Sequence, residues 1–454
     1  MIAGDNRKLG VLRLSIPTDP AEQKYSDLYL EIYNQVASQE KSLNSLISTK
    51  TTVSKKVDEP ELRFPEFTGK WKSFYLSEVL KERNEQRVQD ENFPLVSFTV
   101  EKGVTPKTER YDREALVVGD KVAKKYKVTY FGDLVYNPAN LKFGAIALNL
   151  YGTAVFSPIY VTFEVSKKHN NFFIINSITR YDFLQRLLMF QEGTVYERQA
   201  VKPKVLLAHT CKLPSLDEQQ KVGNFFKEID KKINHLEKTL TVTKDLKEAL
   251  TFQLFTNSPS YPRLRFSGFS GKWLSSTLSK FLKVPKQEKV KLQSIDQLIT
   301  VKLQLKGVVP SSRYNIDPKS NTQYYKRKAG QLIYGKLDFF NRAIAIIPPE
   351  FNGRITTKDV PSFDIKNIDS KFLLENIGRE SFINSKLKFG NGGRKAKRIS
   401  ESDFLSFEIY TPSLEEQQKI GNFLTEVDQL ISAYQRSLDQ HKKLKKALVQ
   451  RMFV

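Results

Sequence analysis

Apolar residues recur at Val222, Phe226, Ile229, Ile233, Leu236 and Leu240, alternating spacings of four and three. Ile420, Leu424, Val427, Ile431, Tyr434 and Leu438 repeat the register 198 residues later. Such a seam occupies one face of a helix and needs a second helix to cover it. Leu246, Leu250 and Leu254, matched by Leu444, Leu448 and Met452, continue the stripe after a local slip. Pro214 and Pro412 stop the preceding chain. Ser215-x-x-Glu218 and Ser413-x-x-Glu416 each fit a capping box, in which the serine oxygen takes an orphan amide and the glutamate reaches back to the cap. The pattern predicts two helices of ~40 residues, each ~60 Å long at ~1.5 Å per residue.

A weaker copy of the seam lies near the start. Shifted by 197 residues, 17–46 falls on the first helix, and Tyr25, Tyr29, Ile32, Val36, Leu43 and Leu46 keep the alternation, with Gln39 as one polar member. Asp19-Pro20 supplies an N-cap acid followed by proline at the first helical position. This segment reads as a diverged, shortened third helix copy; an unrelated amphipathic helix of the same period is the alternative. Residues 48–60 are polar and charged, the texture of a linker.

Between these helices the pattern changes. Residues 95–165 and 295–366 carry short β-branched and aromatic runs at 126–136, 154–165, 331–334 and 343–347, punctuated by Gly, Pro and Asn. They predict mixed domains with a curved sheet, and the apolar stretches 172–190 and 371–387 have the spacing of helices packed beside it. The two segments share landmarks. Lys102-Gly103-Val104 matches Lys306-Gly307-Val308, and Gly132-Asp133-Leu134-Val135-Tyr136 matches Gly330-Gln331-Leu332-Ile333-Tyr334.

The chain is therefore a tandem repeat. LRFPEFTGKWKSFYLSEVL at 62–80 returns at 264–282 with 11 of 19 positions identical, and 213–255 returns at 411–453 with 20 of 43 identical. The order is block, variable domain, helix, then the same three again. The expected class is α+β: two mixed α/β domains with curved sheets, separated by two long helices that pair as an antiparallel coiled coil, with pseudo-twofold symmetry.

At 454 residues, several domains are the prior expectation. The 73 Lys and Arg against 50 Asp and Glu leave a net charge of +23, well beyond what solubility needs, and favour a polyanionic partner. Nucleic acid leads, and an anionic membrane surface is second. The longest apolar stretch, 143–156, is interrupted by Asn149 and Gly152 and falls short of a spanning helix, so no membrane is expected. The opening 14 residues lack the apolar run of a signal peptide. One cysteine, Cys211, and four scattered histidines (His169, His209, His235, His441) suggest neither a disulfide nor a metal site, and the expected compartment is the cytoplasm.

Catalytic patterns are missing. Asn137-Pro138-Ala139-Asn140 lacks the second proline and the aromatic of the loop with which amino-methyltransferases hold a flipped base, and reads as a turn. The glycines of Phe389-Gly390-Asn391-Gly392-Gly393 miss the spacing of cofactor loops, and Gly268-Phe269-Ser270-Gly271-Lys272 is too short for a phosphate-cradling loop. No catalytic residue, cofactor or metal is assigned to this chain.

Signals for DNA contact are better. The loop 391–398 sets Arg394, Lys395, Lys397 and Arg398 beside Asn391 and two glycines, which allow close backbone approach to phosphates, while the arginines offer forked donors to guanine edges. A solvated charged loop is the alternative. Its counterpart offers Tyr196, Arg198 and Gln199. Further candidates are Lys102, Thr105, Lys107 and Arg110 after the first strands, and Lys306, Ser311, Ser312 and Arg313 in the equivalent loop. The cluster Lys121, Lys124, Lys125 and Lys127 reads more simply as solvated surface.

The paired LRFPEFTGKW and LRFSGFSGKW openings, and the paired PSLDEQQKVGNFF and PSLEEQQKIGNFL helix starts with unlike domains between them, resemble the specificity subunit of type I restriction-modification enzymes. The resemblance covers about 60–454. It implies a 61–212 target recognition domain, a 213–257 spacer helix, a 258–410 target recognition domain and a 411–454 spacer helix, with 1–60 as an additional helical segment and linker. It further implies that each recognition domain reads one half of an asymmetric, bipartite site in double-stranded DNA, and that the helices hold the domains apart and dock two modification subunits. Those partners would use S-adenosylmethionine to methylate adenine, and restriction subunits would use ATP and Mg2+ to translocate and cut. The specificity chain itself would be non-catalytic. A coiled-coil DNA-binding scaffold or regulator without modification partners is the rival reading.

Overall fold

The structure, a computed structural model, describes residues 59–100, 102–107, 124–193, 199–256, 261–311, 322–390 and 397–454, with the backbone of two short strands, Leu14–Ser15 and Thr52–Val53. The expected third helix copy at 17–46 lies outside the described residues. So do Arg110, Tyr196, Arg198, Ser312, Arg313, Asn391, Arg394 and Lys395. Within the stretch expected as a linker, Thr52–Val53 pairs antiparallel with Leu62–Arg63.

Two compact units emerge: one from Thr239–Tyr434, to which Leu14–Ser15 adds a strand against Arg265–Phe266, and one from Asn34–Lys238 with Gln435–Val454. The two long helices, Leu216–Leu254 and Leu414–Arg451, each contribute one half to either unit. Phe226, Asp230 and Glu237 on the first helix meet Phe453, Lys445 and Lys442 on the second, so the helices run antiparallel in this unit. In the other unit Lys247 pairs with Asp428 at 2.7 Å and with Glu375 at 2.9 Å. Lys247 and Asp428 are the repeat counterparts of Lys445 and Asp230.

The predicted seam is buried at Val222, Phe226, Ile229, Ile233, Leu236, Leu240, Ile420, Leu424, Val427, Tyr434 and Leu438, while Ile431 is half-buried. The continuation differs between copies. Leu246 and Leu254 are buried and Leu250 is half-buried; in the second copy Met452 is buried as expected and Leu448 half-buried, but Leu444 is only half-buried and Val449 is buried as well.

Each unit holds one mixed domain, and the two share a topology. In the first, Leu80–Glu82, Val161–Val165, Leu134–Tyr136 and Ile146–Leu148 form an antiparallel sheet, and Gln86–Arg87, Tyr126–Thr129 and Ala154–Phe156 a second. In the other domain the counterparts are Leu282–Lys283, Ser362–Ile365, Leu332–Tyr334 and Ile344–Ile346, then Lys289–Val290, Tyr324–Lys326 and Ile355–Thr357. The central strands Leu134–Tyr136 and Leu332–Tyr334 are buried at every position, and Tyr136 and Tyr334 occupy the same buried place. The apolar stretches expected as single helices are each two short ones, Asn171–Ile178 with Tyr181–Leu188 and Ser370–Gly378 with Glu380–Ser385, broken where Arg180 and Arg379 adopt extended backbone.

The doubled sequence blocks have a structural role. Glu218 does not complete a capping box: its amide donates to Ser215 Oγ at 3.4 Å, but its carboxylate accepts two hydrogen bonds from the Arg63 guanidinium, at 2.8 and 2.7 Å. Arg265 holds Glu416 in the same way at 2.8 and 2.7 Å, and the Glu416 amide meets Ser413 Oγ at 3.4 Å. A forked guanidinium outcompetes a single backbone amide for a buried carboxylate. Each opening block thus grips the start of the long helix that ends its own repeat. The next residue adds a second tie. Gln219 donates to Pro214 O and accepts from the Asn170 amide, as Gln417 does with Pro412 O and the Asp369 amide.

Gly223 and Gly421 exist for this junction. A Cβ at Gly421 would stand 2.6 Å from Asp369 Oδ1 and 2.9 Å from the Phe372 amide, the cap of Ser370–Gly378. Gly to Ala in an open helix stabilises by about 1 kcal/mol. Here Gly421→Ala is expected to destabilise by about 1–3 kcal/mol, since overpacking against backbone dominates; urea unfolding reads the sign.

Candidate nucleic-acid interface

In each domain a hairpin, a 3-10 turn and the segment entering the last short helix converge. In the first, the hairpin Val96–Thr99/Gly103–Pro106 turns at Lys102, whose amide donates to Thr99 Oγ1 at 3.1 Å. Gly103 takes φ +62° because the hairpin lies against Ile146–Leu148, where an added Cβ would come within 3.2 Å of Ala147. The turn Pro138–Phe143 follows Asn137, whose side chain accepts from the Ala139 amide, and closes at Gly144 in the left-handed region. The Asn-Pro-Ala-Asn sequence is thus the expected turn. Behind it, the Val201 amide donates to Pro138 O and the Tyr136 hydroxyl donates to Val201 O at 3.0 Å. This ties the segment carrying Gln199 to the turn.

The second domain repeats the arrangement with other residues. Its hairpin Ile299–Val301/Val308–Pro310 turns through Gln304 and Leu305, both at positive φ, whose amides donate to Asn341 O and Arg342 O at 2.9 Å. Arg342, at φ +58°, stands where the first domain has Gly144 at +81°. The Ile399 amide donates to Lys336 O, and the Tyr334 hydroxyl donates to Ile399 O at 3.2 Å. Burial pushes both tyrosine pKa values up, so each hydroxyl stays a donor and pins the far end of a candidate DNA-contact loop.

Lys102, Gln199, Lys306 and Lys397 are exposed on these loops. Thr105, Lys107 and Ser311 are half-buried at the hairpin bases and less available to a groove than expected. Arg398 is ion-paired with Asp359 through one guanidinium nitrogen, between two half-exposed side chains. Two residues that charge and glycine patterns do not single out belong here. Phe143 is 63% exposed at the end of the first domain's 3-10 turn, with the Lys142 ammonium 5.1 Å from its ring centroid. Their signal in the sequence is an aromatic-cation pair just before a glycine that takes the left-handed conformation. Among the described residues no cluster of His, Cys, Asp and Glu could hold a metal ion, and no helix is long and apolar enough to cross a membrane. Burial pushes the Cys211 thiol up to about 12, so it stays protonated.

Lys102→Ala, Lys306→Ala and Lys397→Ala are each expected to weaken DNA binding. The slope of log affinity against log salt should become shallower by about 0.9 for each phosphate that the variant leaves unneutralised. Fluorescence anisotropy over a salt series measures both; an unchanged slope returns that lysine to ordinary surface.

Comparisons with known proteins agree with this architecture. The family model for the type I restriction modification DNA specificity domain matches residues 352–440. A curated putative type I restriction enzyme MjaX specificity subunit of Methanocaldococcus jannaschii is 23% identical over 302 residues, covering 60% of this chain and 67% of its own length. The crystal structure of a type I restriction-modification S subunit from M. genitalium shares the fold, with a TM-score of 0.57 and 13% identity, covering 87% of this chain and 99% of that one. With the duplicated helix starts and the two matching loop platforms, these findings make the chain similar to type I restriction-modification specificity subunits, with the matched DNA specificity domain at 352–440 and the S-subunit fold over most of its length.

Proposed function

We propose that the chain reads an asymmetric, bipartite site in double-stranded DNA, one half with each domain, and docks two modification subunits on its helices. The observation that carries this reading is the repeated platform. Tyr136 and Tyr334 anchor it identically, yet beside a shared lysine, Lys102 and Lys306, the exposed residues differ: Lys142, Phe143 and Gln199 in one copy, Leu337 and Lys397 in the other. Matching scaffolds with unlike contact residues recognise unlike half-sites, whereas a homodimer of identical heads reads a palindrome. Methyl transfer with S-adenosylmethionine, and ATP- and Mg2+-dependent translocation and cleavage, would belong to partner modification and restriction subunits.

Replacing 61–212 with the corresponding domain of another specificity subunit tests the division of labour. Methylation mapping should show one half of the recognised sequence changed and the other intact. A change in both halves would refute modular reading. The scaffold alternative predicts DNA binding with no methylation when a modification subunit is added.

A further inference from the structure

Arg180 and Arg379 hold the same place in the two domains. Each is the extended residue between a pair of short helices, at φ -60° and ψ 147° in the first domain and φ -61° and ψ 139° in the second, and they are 5% and 8% exposed. A guanidinium withdrawn from water needs a counterion. In the first domain the chain supplies one: Asp182, two residues on, accepts from Arg180 at 2.7 Å. In the second domain the residue two on is Ser381. Arg379 donates instead to the carbonyl and side-chain oxygens of Asn376, at 2.9 and 2.6 Å, and lies 4.9 Å from the Phe255 ring centroid. Both of these partners are neutral, and among the described residues no carboxylate pairs with Arg379. Burial pulls its pKa down to about 10, which leaves it charged at neutral pH.

Arg379 and Ser381 line a cavity of about 500 Å³, together with Lys244, Phe252, Leu305 and Arg342. Arg342 brings two features that packing does not explain. Its backbone is left-handed at φ +58°, where the first domain has Gly144, and its Nε is buried with no hydrogen-bond partner among the described residues. A strained residue and an orphan donor on one cavity wall mark a place for an acceptor. The cavity's own carboxylates do not fill it: Glu375 is held by Lys247 at 2.9 Å, and Glu248 and Glu380 are exposed.

We propose that this cavity binds a small organic anion, whose carboxylate or phosphate head answers Arg379 and Arg342 as Asp182 answers Arg180 in the first domain. Forked guanidinium donors suit the edge of either head group. The volume leaves room for a body beyond the head, and Phe252 and Leu305 give that body an apolar wall. Duplex DNA does not fit as the occupant, because its backbone phosphates meet exposed cations and Arg379 is buried. The site is independent of the DNA reading given above.

Isothermal titration calorimetry of the full chain with phenyl phosphate, benzoate and uncharged benzamide tests this. One equivalent of at least one anion should bind, the tighter of the two identifying the head group, and benzamide should not. Ser381→Asp sets a carboxylate where the first domain has one. It should weaken anion binding at least tenfold and raise the melting temperature of the ligand-free chain. Arg342→Gly introduces the residue that the first domain has there and relieves the left-handed backbone, so it should weaken binding at least tenfold without loss of stability. It keeps the site testable if Ser381→Asp does not fold. The site is overturned if neither anion binds at millimolar concentration, if benzamide binds as tightly, or if both variants bind like the unaltered chain. Displacement of a bound anion by duplex DNA would put a backbone phosphate in its place and overturn the small-molecule reading.

Discussion

Arg63→Ala should lower the stability of the unit built from 34–238 and 435–454 by about 3–5 kcal/mol, because it strands the Glu218 carboxylate, which is 2% exposed, without its guanidinium. Most of the cost is the unpaired buried charge, not the loss of an attractive pair. Arg63→Leu combined with Glu218→Leu removes both charges, and should recover most of the stability that the single change takes away. Hydrogen exchange gives the location. Arg63→Ala should expose amides near 216–222, whereas Arg265→Ala should do so near 414–420 through Glu416. A double leucine variant as unstable as Arg63→Ala would mean that the pair contributes more than charge compensation.

Phe453→Ala comes next, with an expected loss of about 3–5 kcal/mol. Its ring lies 4.8 Å from Phe173, 5.5 Å from Phe226 and 6.4 Å from Trp71, joining the end of one long helix, the start of the other and the first opening block. Removing it opens a cavity between elements held by their own backbone hydrogen bonds, so collapse is limited and the cost sits at the upper end. Phe255, its counterpart, packs 5.2 Å from Phe372 and 6.3 Å from Trp273, and Phe255→Ala should destabilise the other unit comparably. Thermal unfolding followed by tryptophan fluorescence reports each locally, since the two tryptophans lie one in each cluster. A loss below about 1 kcal/mol would show that the site repacks freely.

The helices were legible because their signals are local. The seam from Val222 to Leu240 and its copy from Ile420 to Leu438 are buried almost throughout, and Pro214 and Pro412 stand just before the observed starts. The matching domains were legible from landmarks such as Gly103 and Gly307, which need a left-handed conformation at equivalent hairpin turns. The candidate DNA-contact loops were legible only in part. Lys102 and Lys306 stand out by charge beside a turn glycine, but Arg398 carries the same charge and is engaged by Asp359. Phe143 was not legible, because an aromatic near a turn more often packs inward.

What the sequence determined by itself is the repeat, the two long amphipathic helices and the α+β class, since each follows from residue spacing or from comparing one half of the chain with the other. Tertiary structure decided what each repeated residue is for. Ser215-x-x-Glu218 is compatible with a closed capping box, yet the glutamate goes to an arginine 155 residues away. Tyr136 and Tyr334 look like ordinary strand aromatics until their hydroxyls are found on carbonyls 65 residues later. The physical reason is common to both. A helical seam is set by contacts within a few residues, whereas a buried polar group takes whichever partner the finished fold brings within hydrogen-bonding distance.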